Sequence, residues 1–459
     1  MIDPVPKLWD FCNYLRHEGI TYGNYIEQLT YLLFLKMAKE KESELPKDCS
    51  WDNLIKNSGS ELLEKYSSVL QTLGKQKGML GDIFARSRSE FSNPTNLKTL
   101  LNLIDEIDWS SLPVDVKGAA YEGLLEKFAS EEKGAGEYFT PRILIQAIVR
   151  CVGPDFRKSE EFSIHDPACG TGGFLIGAFE WIKNQTEGGS KLSNKDRNRL
   201  LKNTFSGMDN VVMTRRLALM NCYLHSIEPT IFFGDSLGEG PHVGQRYNVI
   251  LTNPPFGSKG TGGAPTRDDF IVSTANKQLN FIQHIITILK LGGNAAMVVP
   301  DNVLFDNSGK KIREYLLKTC NLHTILRLPE GTFQPYTGVK ANVIFFTKGK
   351  PTEEIWYYDL RTNVENTNKG NPLTEKLFED FEKCYHSKPR KSTKRFKKFT
   401  LAEMEKNDFN LDIQIMEDGS RLAFENLPEP KILAIEISKN LQSGSKSIDE
   451  LIKNLEEMK

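Results

Sequence analysis

No run of about 18 apolar residues occurs in the 459-residue chain, so no helix is expected to span a membrane. The seven cysteines are scattered with no Cys-x-x-Cys pair, which argues against both a zinc site and a disulfide framework. The opening Met-Ile-Asp-Pro-Val-Pro lacks the make-up of a signal peptide. Together these features point to a reducing cytoplasm. A strong charge of either sign is also lacking, since 59 Lys and Arg against 60 Asp and Glu leave a net −1. Unaided binding to nucleic acid relies on neutralising phosphates, so this balance favours local basic patches or a partner over a uniformly basic surface. There is no Gly-x-x-x-x-Gly-Lys-[Ser/Thr], so no ATP hydrolysis is expected. With 39% hydrophobic and 26% charged residues, the chain reads as a soluble globular protein of more than one domain.

Residues 1–130 carry helical periodicity. A segment opens at Trp9, and Tyr25–Lys41 places Ile26, Leu29, Leu33 and Met37 on one face. Further helices are expected near Ser60–Leu73 and Asn96–Ile107, and Tyr121–Ser130 is amphipathic. Aromatic and leucine stripes of this kind are core, so this region is an all-α domain for packing or partner contact. After residue 130 the pattern changes to short apolar strands alternating with helices, the signature of a parallel α/β sheet. Strands are expected at Phe162–Asp166, Phe205–Asp209, Thr230–Leu237, Val249–Leu251, Ala295–Val299, Thr324–Leu328 and Val343–Phe346, with Ile355–Tyr358 as an added edge. Gly292-Gly293 reads as the cap of the helix Asn280–Leu291. Catalytic-domain residues are placed at 131–415. The remainder, 416–459, includes an amphipathic helix at Lys431–Met458 suited to docking. Lys388–Lys398 holds seven basic residues in eleven, either a solvated loop or a phosphate contact.

The chemistry concentrates at strand ends. Val249–Leu251 runs into Asn253-Pro254-Pro255-Phe256, which an open α/β sheet would present at its ligand crevice. An exocyclic or amide nitrogen is a poor nucleophile because its lone pair is delocalised. Accepting hydrogen bonds from both of its N–H groups pulls the nitrogen toward sp³ geometry and frees that pair. The Asn253 side-chain oxygen can accept one such bond, and the Pro254 carbonyl the other. The prolines fix φ and carry no N–H. Phe256 offers a face on which a base can stack, and the Gly-rich Gly257–Ala264 follows as a lid or a flexible insertion. An ordinary Asn-Pro turn is the structural alternative.

Three more strand ends are acidic. Asp166 leads into Pro167-Ala168-Cys169-Gly170-Thr171-Gly172-Gly173, where glycines let backbone N–H groups approach a ligand. The spacing is not Gly-x-Gly-x-x-Gly, and it suits a zwitterionic amino-acid head group better than a pyrophosphate. Cys169 reads as a small filler. Asp209 ends the second strand, where an acid holds ribose hydroxyls in doubly wound folds. Asp235 ends the third and could accept from an adenine amino group. Upstream, Glu137-Tyr138-Phe139-Thr140-Pro141-Arg142 closes a Gly-containing loop. Thr140 is expected to cap the next helix with Pro141 at its first position, and Tyr138, Phe139 and Thr140 to form one wall of a pocket.

Glu137–Arg142, Asp166–Leu175 and Asn253–Phe256, in this order and spacing, resemble the modification subunit of type I restriction-modification systems, an N6-adenine DNA methyltransferase. The resemblance spans nearly the whole chain, including Leu8-Trp9 and Val299–Phe305. It implies a Rossmann-like methyltransferase domain with S-adenosylmethionine contacts from Glu137–Arg142 and from Asp166, Ala168, Gly170, Thr171, Gly172 and Gly173. Asp209 would take the ribose, where the family more often has Glu, and Asp235 the cofactor adenine. Asn253–Phe256 would hold an adenine flipped out of double-stranded DNA. Transfer would be direct, without a metal or a covalent intermediate. The implied partners are a specificity subunit that reads the sequence, a restriction subunit for cleavage, and a second modification subunit. Asn-Pro-Pro-Phe alone also marks methylases of other amino groups, on RNA or on protein glutamine, and a scaffold retaining the fold is a further alternative.

Overall fold

The computed structural model describes residues 19–40, 45–107, 121–127, 139–257, 267–334, 336–368 and 370–416, together with isolated residues outside those ranges. The helix expected at Lys431–Met458 and most of the Gly257–Ala264 segment lie outside the described residues.

Nine strands form one sheet in the order β3-β2-β1-β4-β5-β7-β6-β8-β9. They are β1 Ile164–Asp166, β2 Phe205–Asp209, β3 Thr230–Phe233, β4 Tyr247–Thr252, β5 Leu289–Pro300, β6 Cys320–Arg327, β7 Ala341–Lys348, β8 Glu354–Asp359 and β9 Phe396–Thr400. β1 to β5 pair in parallel, and β7 is inserted antiparallel between β5 and β6. The central strands read as continuous apolar runs because both faces are covered. Val249, Leu251, Ala296, Val298, Val343 and Phe345 enter one core. Ile250, Ala295, Met297, Val299, Ile344 and Phe346 enter the other. The chain thus builds an open α/β sheet, with the strand order reversing around β1 and β4. The carboxyl ends of β1, β2, β3 and β4 share one edge because these strands all run parallel.

Two expectations at the sheet are corrected. Ile355–Tyr358 is not the edge, because β9 pairs antiparallel with β8 outside it. β9 begins inside the basic run, which is therefore partly consumed by structure. Arg390 packs against the rings of Tyr385 and Phe396 and donates to the His323 carbonyl, while Arg395 donates to the carbonyls of Asp359 and Thr362. Lys388, Lys391, Lys394 and Lys397 stay exposed. Lysines on an exposed edge strand also discourage pairing with another chain. The second correction concerns Gly292-Gly293. The preceding helix is Lys277–Ile288, and both glycines lie inside β5 beside a register shift against β4. A Cβ at Gly293 would sit 2.9 Å from the Lys290 carbonyl oxygen and 3.0 Å from that of Asn248, so the local bend of β5 and the close approach of the two strands together call for glycine.

The N-terminal helices are Tyr22–Glu40, Trp51–Ile55, Gly59–Leu73, Gly78–Phe84 and Pro94–Asp105. Gly59–Leu73 buries Leu62, Tyr66, Val69, Leu70 and Leu73, the single apolar stripe that a 3.6-residue period produces. Pro94–Asp105 starts where the Asn93 side chain accepts from the Thr95 N–H. These helices share a core with Leu217, Ala218, Leu219, Met220 and Leu224 of the helix Val212–Leu224, which follows β2. Arg216, buried at this junction, donates to the carbonyls of Ile83 and Ala85 at 2.6 Å each, pairs with Glu27 and lies over the Tyr31 ring. The helical region is thereby fastened to the helix that follows Asp209.

The helix Gly173–Gln185 packs closely on the helix Arg142–Val152. A Cβ at Gly177 would meet Ile145 Cγ2 at 2.6 Å. Gly177→Ala is therefore expected to destabilise the fold by about 1–3 kcal/mol through overpacking, read as a lowered Tm. An unchanged Tm would contradict this packing.

Candidate active site

A cavity of about 360 Å³ opens at the carboxyl edge of β1–β4. Its volume lies within the range of cofactor pockets. Phe139, Thr140, Arg142, Asp166, Ala168, Gly170, Thr171, Gly173, Asp209, Asp235, Asn253 and Pro255 all border it. Pro141, Gly172, Pro254 and Phe256 stand outside the lining, and Glu137 and Tyr138 lie outside the described residues.

The Gly-rich turn has a local logic. Gly170 and Gly172 adopt positive φ (+52° and +82°), which L side chains rarely tolerate. Gly172 then precedes the helix Gly173–Gln185. Asp166 accepts from the Ala168 N–H at 3.0 Å, and Asp209 from the Val211 N–H at 2.8 Å, so each acid closes its own turn. Asp235 does likewise with the Leu237 N–H at 3.0 Å. Burial pushes the Asp166 carboxyl up to about 7, with the charge of Asp209 adding to the effect. Burial also pushes Asp209 up to about 6. The Cys169 thiol is pushed well above its ordinary value by burial, which fits a filler rather than a nucleophile.

Thr140 differs from expectation. The next helix begins at Arg142 with Pro141 as its cap residue and no side-chain cap bond. The Thr140 hydroxyl oxygen instead accepts from Asn253 Nδ2 at 3.0 Å, across 113 residues of sequence. That bond turns the other end of the amide away, and Asn253 Oδ1 is buried with no hydrogen-bond partner among the described residues. A buried acceptor without a donor is costly, and a ligand that donates to it would remove that cost. The Pro-Pro turn is held from the far side. Gln278, fully buried, donates to the Pro255 carbonyl at 2.5 Å, and the Lys277 N–H donates to the Gly257 carbonyl at 3.3 Å.

Arg142 is not a free cation. It pairs with Glu122 and, at 2.7 Å, with Glu180, both of which border the cavity. Nearby, Asn221 Nδ2 donates to the Thr171 carbonyl at 3.0 Å, leaving a second buried amide oxygen, Asn221 Oδ1, without a described partner. Several bordering residues carried no mark in sequence. Segment 121–127 contributes Glu122, Leu125 and Glu126. Phe281 lines the cavity from the helix after the Gly-rich stretch. Around the tetrapeptide, Phe256 meets Phe333 edge-on at 5.8 Å, and Phe139 meets Tyr336 edge-on at 5.9 Å. Phe333 and Tyr336 come from the loop between β6 and β7, whose only sequence signal is two aromatics among turn residues.

A mostly parallel sheet, three acids at successive strand ends and an amide acceptor at the fourth define a methyltransferase of the S-adenosylmethionine-dependent class. The comparisons narrow this further. The family model described as N-6 DNA Methylase matches residues 113–422, and the HsdM N-terminal domain model matches residues 5–45. The methylase subunit of the type I restriction enzyme StySPI from Salmonella potsdam is 38% identical, over 99% of this chain and 95% of that one. The EcoKI methylase subunit of Escherichia coli (strain K12) is 37% identical over the same shares. Its crystal structure superposes with a TM-score of 0.57 at 34% identity, covering 99% of this chain and 96% of that one. A chain from a structure concerning complex assembly and conformational transition of the type I R-M system superposes with a TM-score of 0.74 at 28% identity, covering 98% of both chains. The chain belongs to the N-6 DNA methylase family, among the methylase subunits of type I restriction enzymes.

The two raised carboxyls set a pH dependence. An unfolded Asp titrates near ~3.9, whereas Asp166 and Asp209 keep their protons to about 7 and about 6. The stability they contribute is therefore full below about pH 4 and is lost as pH rises through the folded values. Asp166→Asn cannot ionise. In the absence of ligand its Tm is expected to gain on the wild type as pH rises from about 5 to about 8. A difference that stays constant with pH would contradict the burial of a titrating carboxyl.

Proposed function

We propose that this chain methylates adenine N6 in DNA with Asn253–Phe256 as the target-base site and the strand-end acids as the cofactor site. The single observation that carries the site reading is the buried Asn253 Oδ1, which has no described partner and belongs to a residue that borders the cavity. S-adenosylmethionine is the methyl donor, and its sulfonium makes the transferred methyl group electrophilic. The residues present fit it. Asp166 and the Gly170–Thr171 backbone suit the amino-acid head group, Asp209 the ribose and Asp235 the adenine amino group. The net acidity of this edge suits a cationic ligand.

The chain's own residues act by position and polarisation. Asn253 Oδ1 accepts one N6–H of the target adenine. The Pro254 carbonyl accepts the other, while Gln278 engages the carbonyl of Pro255. Two accepted bonds localise the nitrogen lone pair toward the methyl group. Phe256, Phe333, Phe139 and Tyr336 supply apolar faces around a base that has left the duplex. Holding nucleophile and electrophile in line is the main contribution, and the surplus proton leaves after transfer.

The partners follow from the family. A specificity subunit reads the DNA, a restriction subunit joins for cleavage, and a second copy of this chain completes the methylating complex. The exposed lysines of 388–398 are available to DNA phosphates or to a partner. Among the described residues no helix is long and apolar enough to cross a membrane, and we place the chain in the cytoplasm with its DNA. The domain limits 1–130, 131–415 and 416–459 are part of this reading.

The test is transfer of labelled methyl to DNA by this chain alone and with its specificity subunit, with the nucleoside identified by mass spectrometry. N6-methyladenine only when both are present is expected. Asn253→Ala should lower the rate ~10²–10³-fold, as loss of a polarising contact does, while cofactor binding persists. Label on RNA or protein, or wild-type rates in Asn253→Ala, would overturn the assignment.

A further inference from the structure

An amide has two ends that differ in sign, and only one suits the target. If the Asn253 side chain were turned over, Nδ2 would meet the N6–H groups donor to donor. The amide's orientation therefore decides whether the site accepts an adenine or repels it. The backbone of the Asn-Pro-Pro-Phe turn holds the chain's path but places no described hydrogen bond on the side-chain amide. The described partner of that amide is the Thr140 hydroxyl, 3.0 Å from Nδ2.

A hydroxyl can donate or accept, so Thr140 alone would tolerate either orientation. It fixes one orientation only if its own hydrogen is engaged elsewhere. Thr140 borders the same cavity as Asp166, Gly170 and Thr171, where the cofactor's amino-acid end is placed. Its oxygen is not spent on capping the following helix, which has no side-chain cap bond, and it accepts from Asn253 while the hydroxyl hydrogen is left to donate elsewhere. A carboxylate in the cavity accepts hydrogen bonds only. Donation to such a group leaves the Thr140 oxygen as an acceptor, which draws Nδ2 inward and directs Oδ1 outward.

We propose that Thr140 is a specificity-determining residue of the target site: by donating into the cofactor cavity and accepting from Asn253, it sets the amide to present an acceptor to the target base. This rests on the functional reading above and assigns Thr140 a second role beside cofactor contact. Bound cofactor and adenine selection are then coupled through one hydroxyl. The discrimination concerns the base's own polarity at position 6. Adenine offers two donors there, and hypoxanthine offers an acceptor.

The test uses the methylating complex with its specificity subunit, loaded with S-adenosylhomocysteine, on duplexes carrying its mapped recognition sequence. The target position holds adenine or hypoxanthine, each opposite an abasic site so that pairing strength drops out. The wild type is expected to favour adenine by about tenfold or more, the scale of one mismatched buried donor–acceptor contact. In Thr140→Val the preference should fall to within about threefold, and Thr140→Ser should keep it. Asn253→Asp presents acceptors in either orientation, so Thr140→Val combined with Asn253→Asp should regain the preference. That rescue separates polarity from a loss of packing, and it holds even if Thr140→Val alone folds poorly. If Thr140→Val weakens S-adenosylhomocysteine binding yet keeps the wild-type preference, Thr140 is a cofactor contact only and the proposal falls. Failure of the double variant to regain the preference would also overturn it. Absence of adenine methylation by the wild-type complex would sink the functional reading and this proposal together, an outcome distinct from either.

Discussion

The hydrogen bond from Asn253 to Thr140 joins the two halves of the site. One partner ends β4, and the other lies just before the helix that leads into β1, so the bond closes only when the sheet is assembled. It leaves a buried carbonyl oxygen without a donor, an unfavourable arrangement in the free protein. Natural folds retain such a cost where a ligand removes it. The surrounding structure keeps this strained polarity in place. Gln278 fixes the turn from the helix behind it, and the paired prolines offer the oxygen no N–H group locally.

The helical region is attached to the same machinery through one helix. Val212–Leu224 begins where Asp209 accepts the Val211 N–H, carries Arg216 into the N-terminal helices, and ends near Asn221, which holds the Thr171 carbonyl. Asp209, the Gly-rich turn and the helical region are therefore joined through one helix. Phe34 lies against Tyr223 of that helix, with ring centroids 4.6 Å apart, which extends the contact beyond Arg216. Displacing the N-terminal helices would expose Arg216 and leave Glu27 without its partner, so their position and that of the helix after Asp209 are energetically linked.

Much of this was legible before any coordinates because the relevant signals are local. The strands whose ends carry Asp166, Asp209 and Asn253 are short apolar runs closed by turn residues, and a parallel sheet puts such ends on one edge by topology alone. The misreadings share a physical origin, namely contacts remote in sequence. Thr140 before Pro141 looks like a helix cap, and nothing nearby reveals that its partner is Asn253. Gly292-Gly293 looks like a helix stop, but glycine is needed there for the approach of Asn248 on the neighbouring strand. β9 was hidden because the alternation of an edge strand is blurred by lysines, and Arg390 and Arg395 gain their structural roles from partners that include β6 and β8, remote in sequence. Gln278, Phe333 and Tyr336 carry no motif; their place in the site comes entirely from tertiary packing.

The central claim is that Asn253 Oδ1 is held open for an N–H of the target base. The most direct measurement compares the affinity of the wild-type complex for two duplexes that differ only at the target, one with adenine and one with purine lacking the 6-amino group, each opposite an abasic site. If the oxygen waits for that amino group, removing it forfeits the bond and leaves the acceptor buried, and affinity should fall about tenfold or more. Equal affinity for the two duplexes would mean that the base is recognised by stacking and shape alone, and that the unpartnered amide oxygen has no part in holding it.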